Sequence, residues 1–168
     1  MKKRTQNLTY AAVIAALYVV LTHMQNILLP DSATMAIQFR VSEAMCVLAF
    51  FSPTAVFGLT AGCFLFNLTY AGALPLDMLV GSLATFCATG VMYLTRKWRI
   101  GSFPLFGLLM PAVWNAFLVG WELTVYIGQA FWLNALCVAI GEAVVLLTLG
   151  TALYYIFYRR NLHKRIFS

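Results

Sequence analysis

One charged pair stands directly before a long apolar run in this sequence. Arg40 and Glu43 are spaced to lie on neighbouring turns of a predicted helix, facing nearly the same way. Charges in an apolar environment are costly unless they pair, line a cavity or hold a ligand, so the pair predicts a binding site. The alternative is a structural ion pair at a helix end, close enough to the membrane surface for Arg40 to reach water.

Further polar side chains interrupt the apolar segments that follow. Carboxylates and amides that converge on one cavity can hold a small polar ligand, and a flat aromatic side chain can cover it. The candidate binding residues, besides Arg40 and Glu43, are Asn67, Asp77, Asn115, Glu122, Asn134 and Glu142, with Trp114 as the aromatic.

Each of these candidates also has a structural explanation. Asp77 can stabilise a helix N-terminus, Glu122 can be a solvated loop acid, and Trp114 can belong to an interfacial aromatic belt. The asparagines can hydrogen-bond neighbouring helices. Glu142 is the hardest to explain in this way, because it is a carboxyl group well inside an apolar segment.

The composition shows which kind of protein must position these residues. The chain has 168 residues, of which 62% are hydrophobic and 10% are charged, and its mean hydropathy is +0.86. Soluble domains carry about a quarter charged residues. A water-soluble fold of this length could not bury so much apolar surface, so the sequence predicts an integral membrane protein.

The apolar runs predict a single transmembrane domain over residues 1–168, folded as an all-α six-helix bundle. A crossing needs about 20 apolar residues. The predicted spans are residues 8–29, 36–51, 54–70, 76–94, 103–121 and 130–158.

The basic residues predict how this bundle lies in the membrane. The net charge is +6, and every lysine and arginine except Arg40 falls in residues 2–4, 96–99 or 159–165. Cations concentrate on the cytoplasmic side, so both termini are predicted to be cytoplasmic in a bacterial plasma membrane. The candidate binding residues then concentrate in the outer half of the bilayer, with Glu142 deeper. Because topology explains the basic charge, no nucleic-acid surface is needed.

Several classes of function lack their signatures. The sequence contains no phosphate-binding Gly-x-x-x-x-Gly-Lys-Ser/Thr loop, no His-Glu-x-x-His motif and no serine nucleophile elbow. The cysteines are isolated in apolar runs, without metal-ligand spacing. The sequence therefore predicts neither an enzyme nor a metal or cofactor site. It favours a membrane subunit that binds a ligand but has no energy source of its own for transport.

The first predicted helix carries a small-residue face. Ala11, Ala12, Ala15 and Ala16 form two interlocked small-xxx-small pairs, which allow another helix to approach closely. We expect this face to bind a partner subunit. Packing within the bundle is the alternative, and it applies equally to the Gly-xxx-Gly pair that the third predicted helix contains.

Three segments resemble a known family. They are QFRVSEA (residues 38–44), GCFLFNL (62–68) and LDMLVGSLAT (76–85). Through them, nearly the whole chain resembles the QueT family of S components, the small membrane subunits that bind substrate for energy-coupling factor (ECF) transporters. The resemblance implies two kinds of partner, a transmembrane T component and two ATPase subunits. It also implies that the alanine face meets the T component.

The ligands implied by the resemblance are queuosine precursors, which are 7-deazaguanine bases such as queuine or its aminomethyl precursor. One carboxylate accepts the adjacent N–H donors of a guanine edge as a pair, and an ammonium group needs a second carboxylate or carbonyl groups. Arg40 then donates to the ring carbonyl or holds Glu43 in position, and replacing either residue is expected to weaken binding. The alternatives are an S component for another vitamin and a membrane scaffold that transports nothing.

Overall fold

The structure is a computed structural model that describes residues 2–30, 39–101 and 103–162. These residues contain helices and no β-strand, as the sequence predicted. Four helical segments are long and apolar enough to cross a membrane, namely Lys3–Leu28, Asp77–Leu94, Leu105–Ile127 and Phe131–Arg159. Two shorter apolar helices lie between the first and second of them. The count of six spans and the sidedness of the termini stay predictions.

The helical elements follow one another closely along the chain. They are α1 (Lys2–Leu28), a 3-10 helix (Val41–Phe50), α2 (Pro53–Thr69), α3 (Asp77–Leu94), the single turn α4 (Leu105–Leu108), α5 (Met110–Ile127), α6 (Phe131–Val145), a π-helical turn (Leu146–Gly150) and α7 (Thr151–Arg159).

Two of the predicted boundaries need correction. The second span was predicted to begin at residue 36, which lies outside the described residues, but Phe39 and Arg40 are not helical and the 3-10 helix begins at Val41. The fifth span was predicted to end at residue 121. Instead α5 continues to Ile127, where Gly128 ends it in the left-handed conformation (φ 76°) that glycine adopts without steric cost.

The 3-10 helix occupies the centre of the bundle. It contacts α1, α2, α3, α6 and α7, and its residues 42–50 are buried. Ser52 then caps α2 by accepting a hydrogen bond from the Thr54 amide at 3.2 Å, and Pro53 takes the first helical position, where its missing N–H is not needed. This tight turn places α2 alongside the central helix and next to α1.

The interface between α1 and α2 is made by small residues. A Cβ atom added at Gly62 would lie 2.8 Å from Tyr18 Cβ and 3.0 Å from the Ala15 carbonyl oxygen, and one added at Gly58 would lie 2.8 Å from the Ala11 carbonyl oxygen. Glycine is therefore required for this close approach.

This packing corrects the prediction for the alanine face. Ala15 is buried and Ala11 partly buried against α2, so these two residues serve the interior of the bundle and not a partner. Ala12 and Ala16 are exposed on the opposite side of α1. A partner contact through Ala12 and Ala16 stays a prediction.

Candidate functional site

The polar candidates share one property in the folded chain, which is near-complete burial. None of them is more than 5% exposed, and they come from five different elements. They are Arg40, Glu43, Asn67, Asp77, Asn115, Glu122, Asn134 and Glu142. Trp114 is the exception, since it is partly exposed on α5, and its contact with a ligand stays a prediction.

Arg40 lies at the start of the central helix and not within it. Its backbone is extended (φ −84°, ψ 101°), and its carbonyl oxygen accepts a hydrogen bond from the Glu43 amide at 2.9 Å. The expectation that Arg40 and Glu43 share a helix face is therefore wrong. The alternative that Arg40 reaches water is also wrong, because its side chain is only 2% exposed. The guanidinium interacts electrostatically with Glu43 and Asp77.

Glu43 is held by the protein through both of its carboxylate oxygens. The Tyr18 hydroxyl donates to Oε1 at 2.6 Å, and the Cys46 thiol donates to Oε2 at 3.0 Å. Cys46 comes three residues later in the 3-10 helix, where residues i and i+3 eclipse each other, so the two side chains meet. The sequence had assigned Cys46 no role beyond that of a small apolar residue. The Glu43 carboxyl group is thus held in place, and both of its oxygens already have donors.

A ladder of polar side chains on α1 fixes the segment around Arg40. Tyr18 bonds Glu43 as above, and the hydroxyl groups of Thr22 and Ser42 are hydrogen-bonded at 2.7 Å. Gln25 uses both ends of its amide, with Nε2 donating to the Phe39 carbonyl and Oε1 accepting from the Val41 amide at 2.7 Å.

This ladder clamps the backbone on both sides of Arg40 and so determines where its side chain enters the bundle. Sequence reasoning did not identify it. The available signal was three polar residues at positions 18, 22 and 25, a spacing that places them on one face of a helix.

The carboxylate of Glu142 lies between α5 and α6. Asn115 Nδ2 on α5 donates to Glu142 Oε1 at 3.1 Å, while Glu142 Oε2 has no partner among the described residues. Glu142 also interacts electrostatically with Glu43 and Arg40. That Asn115 and Glu142 share one ligand with Arg40 stays a prediction.

Glu122 is fully buried on α5, so the interpretation as a solvated loop acid is wrong. Neither of its carboxylate oxygens has a hydrogen-bond donor within the described ranges. The Asp77 carboxyl group nevertheless lies within side-chain hydrogen-bond reach of Glu122, a contact that needs a shared proton, and Arg40 interacts with Glu122 electrostatically. Asp77 Oδ2 accepts a hydrogen bond from the Leu74 amide at 2.9 Å, which is the structural role expected at a helix start, and its backbone carbonyl accepts from Asn67 Nδ2 at 2.9 Å.

The open hydrogen-bonding atoms of the site are mostly acceptors. Asn134 Nδ2 donates to Thr124 Oγ1 at 3.2 Å, but its Oδ1 has no partner among the described residues, and the same holds for Asn67 Oδ1. Together with Glu122 and Glu142, these residues place several open acceptors in the interior of the bundle. Asn26 on α1 adds one open acceptor and one open donor.

Such unsatisfied buried atoms are costly in a membrane interior and indicate a donor-rich ligand. Within the described part of the chain, no group of three or more His, Cys, Asp or Glu side chains could hold a metal ion.

Comparison with known proteins places the chain in a family. A family model described as "QueT transporter" matches residues 8–159, nearly the whole chain. A curated relative from Lactococcus lactis subsp. cremoris (strain MG1363), named "Queuosine precursor transporter QueT", is 35% identical over 97 residues. This match covers 56% of the chain and 55% of the relative, so the chain spans a little over half of the relative's length. No solved structure matches the chain.

The family model and the apolar helices together assign the chain to a class. Its family consists of transporters and not enzymes, and its four membrane-crossing segments make it a multi-pass protein of the cell membrane. The extent of the family match, from residue 8 to residue 159, includes every element that contributes to the buried site. The chain belongs to the QueT transporter family.

Proposed function

We propose that the chain is the substrate-binding S component of an ECF transporter and that it imports a queuosine precursor, a 7-deazaguanine base such as queuine or its aminomethyl precursor. The observation that carries this proposal is the set of buried acceptor atoms around Arg40. A deazaguanine presents adjacent N–H donors on its guanine edge and a ring carbonyl beside them. The relative's name supports the same class of ligand.

Glu142 is the carboxylate that we assign to the guanine edge. Its Oε2 is open, and Asn115 holds its Oε1, so the carboxylate is oriented before a ligand arrives. Two adjacent N–H groups can each donate a charge-assisted hydrogen bond to one carboxylate. This pair of hydrogen bonds gives both affinity and specificity. Arg40, which interacts electrostatically with Glu142, is the donor for the ring carbonyl. The sequence left open which carboxylate meets the guanine edge, and Glu43 already accepts donors from Tyr18 and Cys46.

Two alternatives make different predictions for ligand binding. An S component for another vitamin would bind a different small molecule at the same site. A membrane scaffold would bind none, and it would leave the open carboxylate oxygens of Glu122 and Glu142 unexplained. Membership of a transporter family argues against the scaffold.

The test is ligand binding by the purified chain in detergent. Thermal stability and calorimetric affinity are measured against guanine, 7-deazaguanine, 7-cyano-7-deazaguanine, 7-aminomethyl-7-deazaguanine and queuine, with thiamine, riboflavin and biotin as vitamins of other kinds. We expect stabilisation only by 7-deazaguanines, because a ligand that binds only the folded state raises its stability by mass action. Stabilisation by another vitamin alone would overturn the assignment, and stabilisation by no compound would contradict a binding subunit.

Gln25→Leu is expected to weaken 7-deazaguanine binding by about tenfold. The substitution removes both hydrogen bonds that clamp Phe39 and Val41, so Arg40 loses its fixed entry into the site, and a loss of about 1.4 kcal/mol is a factor of ten. The matched control is Gln6→Leu, the same change at an exposed position of the same helix, which should bind normally. Equal affinity in the two variants would show that the clamp does not position the site.

The proposed partners are a transmembrane T component and two ATPase subunits, because the sequence contains no phosphate-binding loop of its own. The exposed alanines of α1, Ala12 and Ala16, are the proposed contact. Small side chains let a partner helix approach closely, and a bulky one keeps it away.

Ala16→Trp is therefore expected to lower ATP-dependent uptake by at least about tenfold while ligand affinity stays unchanged. Uptake is measured in cells that express the T component and the ATPases, and affinity is measured on the purified variant. Leu136→Trp on α6, where the side chain is also exposed, is the control for a tryptophan on the bundle surface. Concentrative uptake by the chain alone, without a T component or ATPase subunits, would refute its dependence on these partners.

A further inference from the structure

Glu122 is the acidic residue of the site that receives the fewest hydrogen bonds from donors of the described chain. It is fully buried on α5, and neither carboxylate oxygen meets a hydrogen-bond donor among the described residues. Its electrostatic neighbours are Asp77 on α3, which is also acidic, and Arg40. Glu43 and Glu142, by contrast, each receive at least one hydrogen bond from a protein side chain. Asp77 also lies within side-chain hydrogen-bond reach of Glu122. Two buried carboxyl groups in contact need either a shared proton or a donor from outside the described chain between them.

A second side chain points to a ligand at the same place. Asn67 on α2 is 5% exposed, and its Nδ2 donates to the Asp77 carbonyl, so it lies directly beside that residue. Its Oδ1 is a further open acceptor. Gly81 lies one turn after Asp77 on α3 and leaves space beside Asn67 and Arg40. A Cβ atom at this position would lie 2.9 Å from Asn67 Nδ2 and 3.9 Å from Arg40 Nη1.

Acidic side chains outnumber basic ones among the described members of the buried site. Within the described ranges its acidic members are Glu43, Asp77, Glu122 and Glu142, and Arg40 is its basic member. A neutral guanine edge satisfies hydrogen bonds but adds no positive charge. A ligand with an ammonium group supplies both a charge and several N–H donors, which suits two carboxyl groups and an amide oxygen.

We propose that Glu122, Asp77 and Asn67 form a cation subsite that binds the ammonium group on a side arm of the ligand. This inference rests on the proposed function, because the ring is taken to be a 7-deazaguanine held by Glu142. Glu122 and Asn67 accept ammonium N–H donors through their open oxygens, and Asp77 contributes negative charge nearby. The site therefore distinguishes 7-deazaguanines by the charge of the arm.

The test compares two ligands of similar size on the purified full chain at neutral pH. One is 7-aminomethyl-7-deazaguanine, which carries the cation, and the other is 7-cyano-7-deazaguanine, whose arm is neutral. We expect the cationic ligand to bind at least about tenfold more tightly. Glu122→Gln removes one carboxyl group from the subsite and should abolish most of this preference, mainly by weakening the cationic ligand.

Glu142→Gln is the matched control, because it makes the same chemical change at the residue assigned to the ring. It should weaken both ligands by a similar factor and leave their ratio unchanged. Two results would overturn the subsite while leaving the proposed function intact: wild-type affinities within about threefold of each other, or an unchanged preference in Glu122→Gln. If Glu122→Gln does not fold, the wild-type comparison alone decides. Failure of both ligands to bind would overturn the proposed function as well.

Discussion

Replacing Arg40 with alanine is expected to weaken ligand binding by more than about tenfold and to lower the free energy of unfolding by about 3–5 kcal/mol. Arg40 is the basic residue among the described members of the buried site, and it interacts electrostatically with Glu43, Asp77, Glu122 and Glu142. Its loss leaves these acids without positive charge in an environment that solvates them poorly. Calorimetry and thermal unfolding in detergent measure the two effects.

Two further variants separate charge from geometry. Lys97→Ala removes a cation from an exposed position and should change neither quantity. Arg40→Lys keeps the charge but loses the planar guanidinium, so we expect it to recover most of the stability and little of the affinity. If Arg40→Ala folds and binds like the wild type, the buried site is not organised around this residue.

Replacing Gly62 with alanine is expected to lower the thermal stability of the chain and also to weaken ligand binding. The added methyl group would lie 2.8 Å from Tyr18 Cβ and about as close to the backbone of Ala15, so α1 and α2 must move apart. Overpacking of this kind costs about 1–3 kcal/mol. Because Tyr18 also donates to Glu43, its displacement transmits the change to the binding site.

Gly90→Ala provides a matched control for this effect. Gly90 is a helical glycine on α3, and a Cβ there would meet no atom within 4 Å. The same substitution should therefore be neutral or slightly stabilising at this position, since alanine favours the helix. Equal melting temperatures for the two variants would mean that α1 and α2 are not in close contact at Gly62.

The sequence predicted the helical class and most helix positions because long apolar runs leave few other structures possible in a membrane. It was wrong about the end of the fifth span, which it placed at residue 121, and so it left open the alternative that Glu122 is a loop acid. The sequence around a single acidic residue after an apolar run does not show which side chains will pack against that residue. Only the packing of α3 against α5, which brings Asp77 near Glu122, shows that this residue belongs to the interior.

The candidate site was predictable as a set of residues but not as a set of roles. Polar side chains in apolar segments are few, and those proposed as ligands other than Trp114 are indeed buried. Which of their atoms remain open depends on partners distant in sequence, such as Tyr18 for Glu43. The alanines of α1 are a second example. The sequence contains the glycines of α2, but it does not show that these glycines pack against Ala11 and Ala15.

The 3-10 geometry of the central helix determines how far Arg40 lies from the turn at the other end of that helix. Ten residues, Val41–Phe50, form the 3-10 helix, which rises about 2.0 Å per residue and so spans about 20 Å. An α-helix of the same residues would span about 15 Å. The tighter winding therefore places Arg40 about 5 Å farther from the turn at Ser52 than the same sequence would allow as an α-helix. The short 3-10 helix thus places Arg40 about as far along the bundle as an α-helix with one more turn would.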